Sequence, residues 1–253
     1  MAFKFGLFPG TFGKQEENEA FIERRAMNAQ EVEIRVSDAQ FALDQLEKLA
    51  SDKGSPFYQR IDVKNCGIFG QSLGGATAIR TCQKDSRMKA GVNLDGSLLG
   101  YEPLKNGDKP CMFMLSGDNV NMFNRPWTQS DWNLFGISSA NEEAMVKANY
   151  LQAFEQIAKT KGHDVYIFSL KNAGHTDFTD LAFIKNATFL ARQLFRFKII
   201  GGDFAPGSIN GLRATEIVNA YLVSFFNKYL KGQPSELLDG AGTKCTEHLI
   251  SRR

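Results

Sequence analysis

The chain has 253 residues, 43% of them hydrophobic, with 30 Lys and Arg against 28 Asp and Glu for a net charge of +2. That length and apolar content fit one large domain with a buried core, spanning 1–253, and the near-balanced charge offers no basic patch for a nucleic acid. No stretch is long and apolar enough to span a bilayer, and Met1 to Pro9 is too short and interrupted for a signal-peptide core. As written, the chain reads as soluble and unaddressed, and its basic ending, Ser251-Arg252-Arg253, as a solvated tail.

Phe3 to Phe8 has the make-up of a short strand, broken by Pro9-Gly10-Thr11-Phe12-Gly13. A polar helix is expected from near Glu16. Ser37 followed by Gln40 resembles a capping box, and Phe41, Leu43, Leu46 and Leu49 give the next helix an apolar face that ends at Gly54. The β-leaning residues Val63, Cys66, Ile68 and Phe69 then meet Gly70-Gln71-Ser72-Leu73-Gly74, and a helix rich in small residues follows to Gln83.

The pattern G-x-S-x-G between a strand and a helix is that of a nucleophile elbow, the strained turn that holds a serine hydroxyl above a parallel sheet in α/β-hydrolases. Glycines two places either side of Ser72 let strand and helix approach without Cβ clashes, and the serine itself needs a backbone conformation most residues avoid. Leu73, the first helical residue, presents its N–H where an oxyanion would develop.

Two further strand candidates follow: Ala90 to Leu94, ending at Asp95, and Cys111 to Ser116, ending at Gly117-Asp118. From Val120 to Ser139 an irregular segment carries Phe123, Trp127, Trp132 and Phe135, a pocket lining or a packing cluster. A helix is expected from about Glu142 to Thr160, with Met145, Ala148, Leu151, Phe154 and Ile157 on one face. The strand Asp164 to Ser169 leads into Lys171-Asn172-Ala173-Gly174-His175, and an amphipathic helix from Thr215 to Leu230 stops at Gly232. Short apolar strands alternating with helices predict an α/β fold, a mostly parallel sheet covered by helices on both faces. The four cysteines, Cys66, Cys82, Cys111 and Cys245, lack metal-ligand spacing; the first three fall in predicted elements and read as buried thiols. No metal or other cofactor is expected.

Reactive groups of such a sheet gather beyond the carboxyl ends of its strands. Ser72 lies at one of these ends, Asp95 and Asp118 at two others, and His175 follows the last. A serine is a poor nucleophile at neutral pH without a base, and the base needs an acid to fix its tautomer. Of the three histidines, His163 precedes a strand, at the wrong end of the sheet, and His248 sits in the polar tail. His175 is the expected base, in the chain order Ser, Asp, His these hydrolases use. Spacing alone leaves Asp95 and Asp118 both open as the acid.

Gly70-Gln71-Ser72-Leu73-Gly74-Gly75-Ala76-Thr77, Asn93-Leu94-Asp95-Gly96 and His175-Thr176-Asp177-Phe178 together resemble the platelet-activating-factor acetylhydrolase family and its bacterial relatives. The helix with Asp44-Gln45-Leu46 is similar to the one before that family's elbow strand, so the resemblance runs from about Arg35 to Leu190. It implies a serine esterase that releases acyl groups from lipid or other small esters without a metal. In that family the acid follows the strand after the elbow helix, which favours Asp95. Read for structure alone, Asp118 is a turn residue in Ser-Gly-Asp-Asn and Asp177 a helix cap.

A complete fold of this type has several strands before the elbow, and a loop among them gives the second oxyanion donor. Only 71 residues precede Ser72, with at most one weak strand and no glycine-rich oxyanion loop. The N-terminal strands are therefore expected to be missing, and with them any leader that would direct secretion or periplasmic export. The elbow strand would then be an exposed apolar edge. Two competing expectations follow: a non-catalytic hydrolase-like chain that pairs with a partner, and the same triad acting on polyester, thioester or amide bonds.

Overall fold

The computed structural model describes residues 14–97, 109–137, 139–159, 164–187, 189–196 and 206–239. The strand expected at Phe3 to Phe8 lies outside them, as do Cys245, His163 and His248.

Strands β1 (Cys66–Gln71), β2 (Met88–Leu94), β3 (Cys111–Ser116) and β4 (Val165–Leu170) form one sheet in the order β1-β2-β3-β4. All three pairings are parallel, as the alternation of strands and helices predicts. The inner strands are apolar because both of their faces are covered: every residue of β3 is buried, and in β2 only Lys89 is exposed. Gln71 is level with Leu94, Leu94 with Met114, and Ser116 with Leu170. The chain therefore leaves all four strands at one rim, where Ser72, Asp95, Gly117 and the loop to His175 meet.

Helices cover both faces. On one lie α1 (Lys14–Ser51) and α2 (Leu73–Lys84); on the other, after α6 (Leu181–Ala187) and α7 (Phe189–Arg196) in chain order, lies α8 (Gly211–Lys231). Asn210 caps α8 by accepting from Arg213 N–H at 3.2 Å, and Gly232 ends it at φ 65°. Ala214, Ile217, Val218, Tyr221 and Phe225 make its buried stripe against Val92, Met112 and Phe168. Burying an aromatic of this size stabilises the fold by about 2–3 kcal/mol relative to leaving it exposed.

The N-terminal helix departs from the sequence expectation. It is one continuous element, and Ser37 is no cap: its hydroxyl donates to Glu33 O at 3.1 Å, one turn back within the helix. Its buried stripe is Val32, Val36 and Leu43, whereas Phe41, Leu46 and Leu49 face solvent. Tertiary contacts set this rotation. Val32 and Val36 pack on Ala76 and Leu73, Glu33 pairs with Arg80 and Lys84, and Asp44 and Glu47 pair with Arg87.

The aromatic segment, expected to be irregular, contains α3 (Gly117–Phe123) and α4 (Gln129–Phe135), followed by α5 (Ala140–Lys159). Among the described side chains of α5, Glu142 and Val146 are buried and Tyr150 is half-buried, while Ala148 is exposed. Val146 and Tyr150 pack on the aromatics, while the expected face positions Leu151, Phe154 and Ile157 lie outside the described side chains. Trp127 stacks on Phe135 at 4.3 Å, Tyr150 on Phe123 at 3.7 Å, and Trp127 Nε1 donates to Met122 O. Trp132 Nε1 donates to Glu143 at 2.8 Å. Both tryptophans thus serve packing. Among the cysteines, Cys82 and Cys111 are buried as expected, but Cys66 is only half-buried, since β1 is the end strand of the sheet among the described residues; burial still pushes its thiol up.

Asp131 pins this cluster through a bidentate pair with Arg125 and hydrogen bonds from Thr128 N–H and hydroxyl. Burial pushes its carboxyl up, but the Arg125 and Thr128 bonds outweigh it and lower the pKa from 3.8 to about 2. A folded pKa below the unfolded one adds stability that is full above pH 3.8 and lost as pH falls through about 2. The chain's two tryptophans both lie here, so intrinsic fluorescence should report the cluster loosening over that window. Asp131→Asn should remove that component of the acid dependence.

Candidate active site

Ser72 joins β1 to α2 at φ 56° and ψ −126°, in the left-handed half of backbone space. Its N–H still donates to Leu94 O at 2.9 Å, and its carbonyl accepts from Gly75 at 2.9 Å, so strand and helix bonds clamp the strained residue. Gly70 permits the turn: a Cβ there would lie 2.3 Å from the Gly74 carbonyl oxygen. Leu73 is the first residue of α2, so its N–H has no intrahelical acceptor and points past the turn.

Asp95 is a second strained residue, at φ 54° just beyond β2, and is buried. Asn93 Oδ1 braces it by accepting from Gly96 N–H at 2.6 Å, and a Cβ on Gly96 would lie 2.3 Å from the Ser72 carbonyl oxygen. The Asp95 turn and the elbow therefore touch. Asp95 Oδ1 accepts from Ser116 N–H at 2.6 Å; Oδ2 accepts from Asn119 Nδ2 at 2.7 Å and from His175 Nδ1 at 2.9 Å. The carboxylate at His175 Nδ1 is thus Asp95, from a position 80 residues earlier. Asp118 is exposed in the first turn of α3, with its N–H donating to Ala173 O.

His175 opens a 3-10 turn, His175–Phe178, after β4. Asp177 caps that turn and also does more: its Oδ2 accepts from Gly174 N–H at 2.9 Å and from Gly207 N–H at 2.7 Å, tying the loop to the approach to α8. With Nδ1 donating to a carboxylate, the neutral ring carries its lone pair on Nε2, as a general base requires. Nε2 meets Gln71 Nε2 at 2.9 Å. Among the described residues no hydrogen bond joins the Ser72 hydroxyl to His175; such bonds commonly tighten only when substrate is in place.

Sequence reasoning missed Gln71, Asn119 and Tyr150. Asn119 lies one place beyond the Ser-Gly-Asp run that drew attention to Asp118, and the cap formed by Ser116, which accepts from Asn119 N–H, aims it at Asp95. Burial, and to a lesser degree the Asp95 charge, pushes the Tyr150 phenol up. Among the described residues no group of three or more His, Cys, Asp or Glu gathers as metal ligands do. Among them, too, no helix is long and apolar enough to cross a membrane.

The chain is 27% identical over 218 residues to a probable 1-alkyl-2-acetylglycerophosphocholine esterase of Arthroderma benhamiae, covering 85% of this chain and 48% of that protein. It is 26% identical over 196 residues to a platelet-activating factor acetylhydrolase of Cavia porcellus, covering 77% of this chain and 34% of that one. The chain therefore spans about half or less of these curated relatives. A ferulic acid esterase from Streptomyces cinnamoneus has a similar fold, with a TM-score of 0.62 at 24% identity over 88% of this chain and 55% of that one. The family described as platelet-activating factor acetylhydrolase, isoform II, matches residues 14–239, from the start of α1 to the end of α9 (Glu236–Asp239), and the chain belongs to that family.

Proposed function

We propose that the chain is a serine carboxylester hydrolase that cleaves small acyl esters, among them acetyl esters of glycerophospholipids. One observation carries the reading: the hydrogen bond between His175 Nδ1 and Asp95, formed beside a serine in the strained elbow conformation. In the proposed reaction Ser72 Oγ attacks the ester carbonyl carbon and passes its proton to His175 Nε2. The carbonyl oxygen, now negative, is held by Leu73 N–H. Collapse breaks the bond to the alcohol, which leaves with the proton from His175. Water, deprotonated by His175, then attacks the acyl-enzyme, and release of the acid restores Ser72. Asp95 holds the ring in the Nδ1–H tautomer and stabilises the imidazolium. The names of the curated relatives support the ester and lipid class.

A second reading, a hydrolase-like chain that works through a partner, is favoured by the position of β1 at the end of the sheet among the described residues, where Phe69 is 57% exposed. A fluorophosphonate probe separates the two. The catalytic reading expects one covalent adduct by intact mass, mapped to the Ser72 peptide, and turnover of acyl esters of graded length. A folded chain that takes no label would overturn it.

A further inference from the structure

We propose that Gln71 is a positioning residue that holds the base in a capped resting state, from which substrate must release it; this rests on the triad reading above. The Gln71 amide gives both of its hydrogens to one residue: Nε2 meets His175 Nε2 at 2.9 Å and donates to the His175 carbonyl oxygen at 3.2 Å. Its orientation follows from its partners. The Asp95 carboxylate oxygen accepts from Nδ1, so in the neutral ring Nε2 is an acceptor, as is the backbone carbonyl; only the NH2 end of the amide satisfies both.

The lone pair that would take the Ser72 proton is therefore already engaged. The two states exclude each other, because an imidazolium formed by proton transfer would turn an N–H toward the amide N–H. Acylation requires the Gln71 side chain to leave Nε2, although the Asp95 bond at Nδ1 is unaffected. The sequence builds this in cheaply: Gln71 is the last residue of β1 and immediate neighbour of Ser72, so elbow and cap share one rigid support. The base is then available for only part of the time, and apparent reactivity falls by that fraction.

The test compares fluorophosphonate labelling of Ser72 in the wild type, Gln71→Leu and Gln71→Met. Both variants keep much of the side-chain volume and lose the donor. Labelling and kcat/KM should rise about two- to tenfold, the population change matching one ordinary neutral hydrogen bond. In histidine-15N-labelled protein the His175 Nε2 resonance should move downfield as its donor is lost. Gln71→Glu should instead slow labelling, since a carboxylate there can pair only with a protonated Nε2. Wild-type labelling at Ser72 with unchanged or slower Leu and Met variants and an unmoved resonance overturns the cap alone. Absence of label on the wild type overturns the triad reading itself.

Discussion

Ser72→Ala should lower kcat for an acyl ester by about 10⁵- to 10⁶-fold, the scale on which removing the nucleophile of a comparable triad disables the whole unit. The size follows from cooperation. Without Oγ the base has no proton to take, so what survives is the contribution of substrate binding and an oxyanion donor to attack by water. Stability should stay nearly constant, because alanine bears the same strain at φ 56° as serine and the bonds from Ser72 N–H to Leu94 and from Gly75 to its carbonyl are backbone bonds. Ser72→Gly adds an informative contrast: it is as inactive, yet it should raise stability by about 1 kcal/mol, since a left-handed conformation is strained for any residue with a Cβ. Thermal unfolding alongside steady-state hydrolysis checks both expectations. Near-normal turnover by the alanine variant would remove the elbow from the chemistry.

The elbow could be read from the chain because its requirements are local. Gly70 and Gly74 flank Ser72, apolar residues precede them, and a small-residue helix follows, so one stretch of sequence fixes both the turn and its setting. The ends of β2, β3 and β4 could be read for the same reason, and they placed Asp95 and His175 on the same rim. What escaped depends on residues distant in sequence. The rotation of α1 is set by Ala76, Arg80 and Arg87, which lie on other elements; a long helix with apolar residues on several sides does not announce which stripe will be buried. Ser37 looked like a cap because Ser-x-x-Gln fits one, but a serine can also bond back one turn within a helix, and here it does. The role of Gln71 depends on a loop 104 residues further on, and no spacing rule reaches that far.

Asp95→Asn should lower kcat by about 10⁴-fold, while Asp118→Asn should stay within about twofold of wild type. Three donors converge on the Asp95 carboxylate: Ser116 N–H on Oδ1, and Asn119 Nδ2 and His175 Nδ1 on Oδ2. An amide keeps only one of the two oxygens as an acceptor, so in either orientation its NH2 faces a donor. With the amide nitrogen toward Ser116, an N–H of the fixed backbone is left without an acceptor in a buried place, at about 1–3 kcal/mol. With it toward His175, the ring can recover a bond by moving its proton to Nε2 and accepting at Nδ1. That tautomer has no lone pair where Ser72 needs one, and the base is lost although the geometry survives. Asp118 is exposed in the first turn of α3 and is not the carboxylate at His175 Nδ1. Measuring kcat and KM for both variants therefore decides between the two acids left open by spacing. Equal losses at both positions, or the larger loss at Asp118, would overturn the assignment of Asp95.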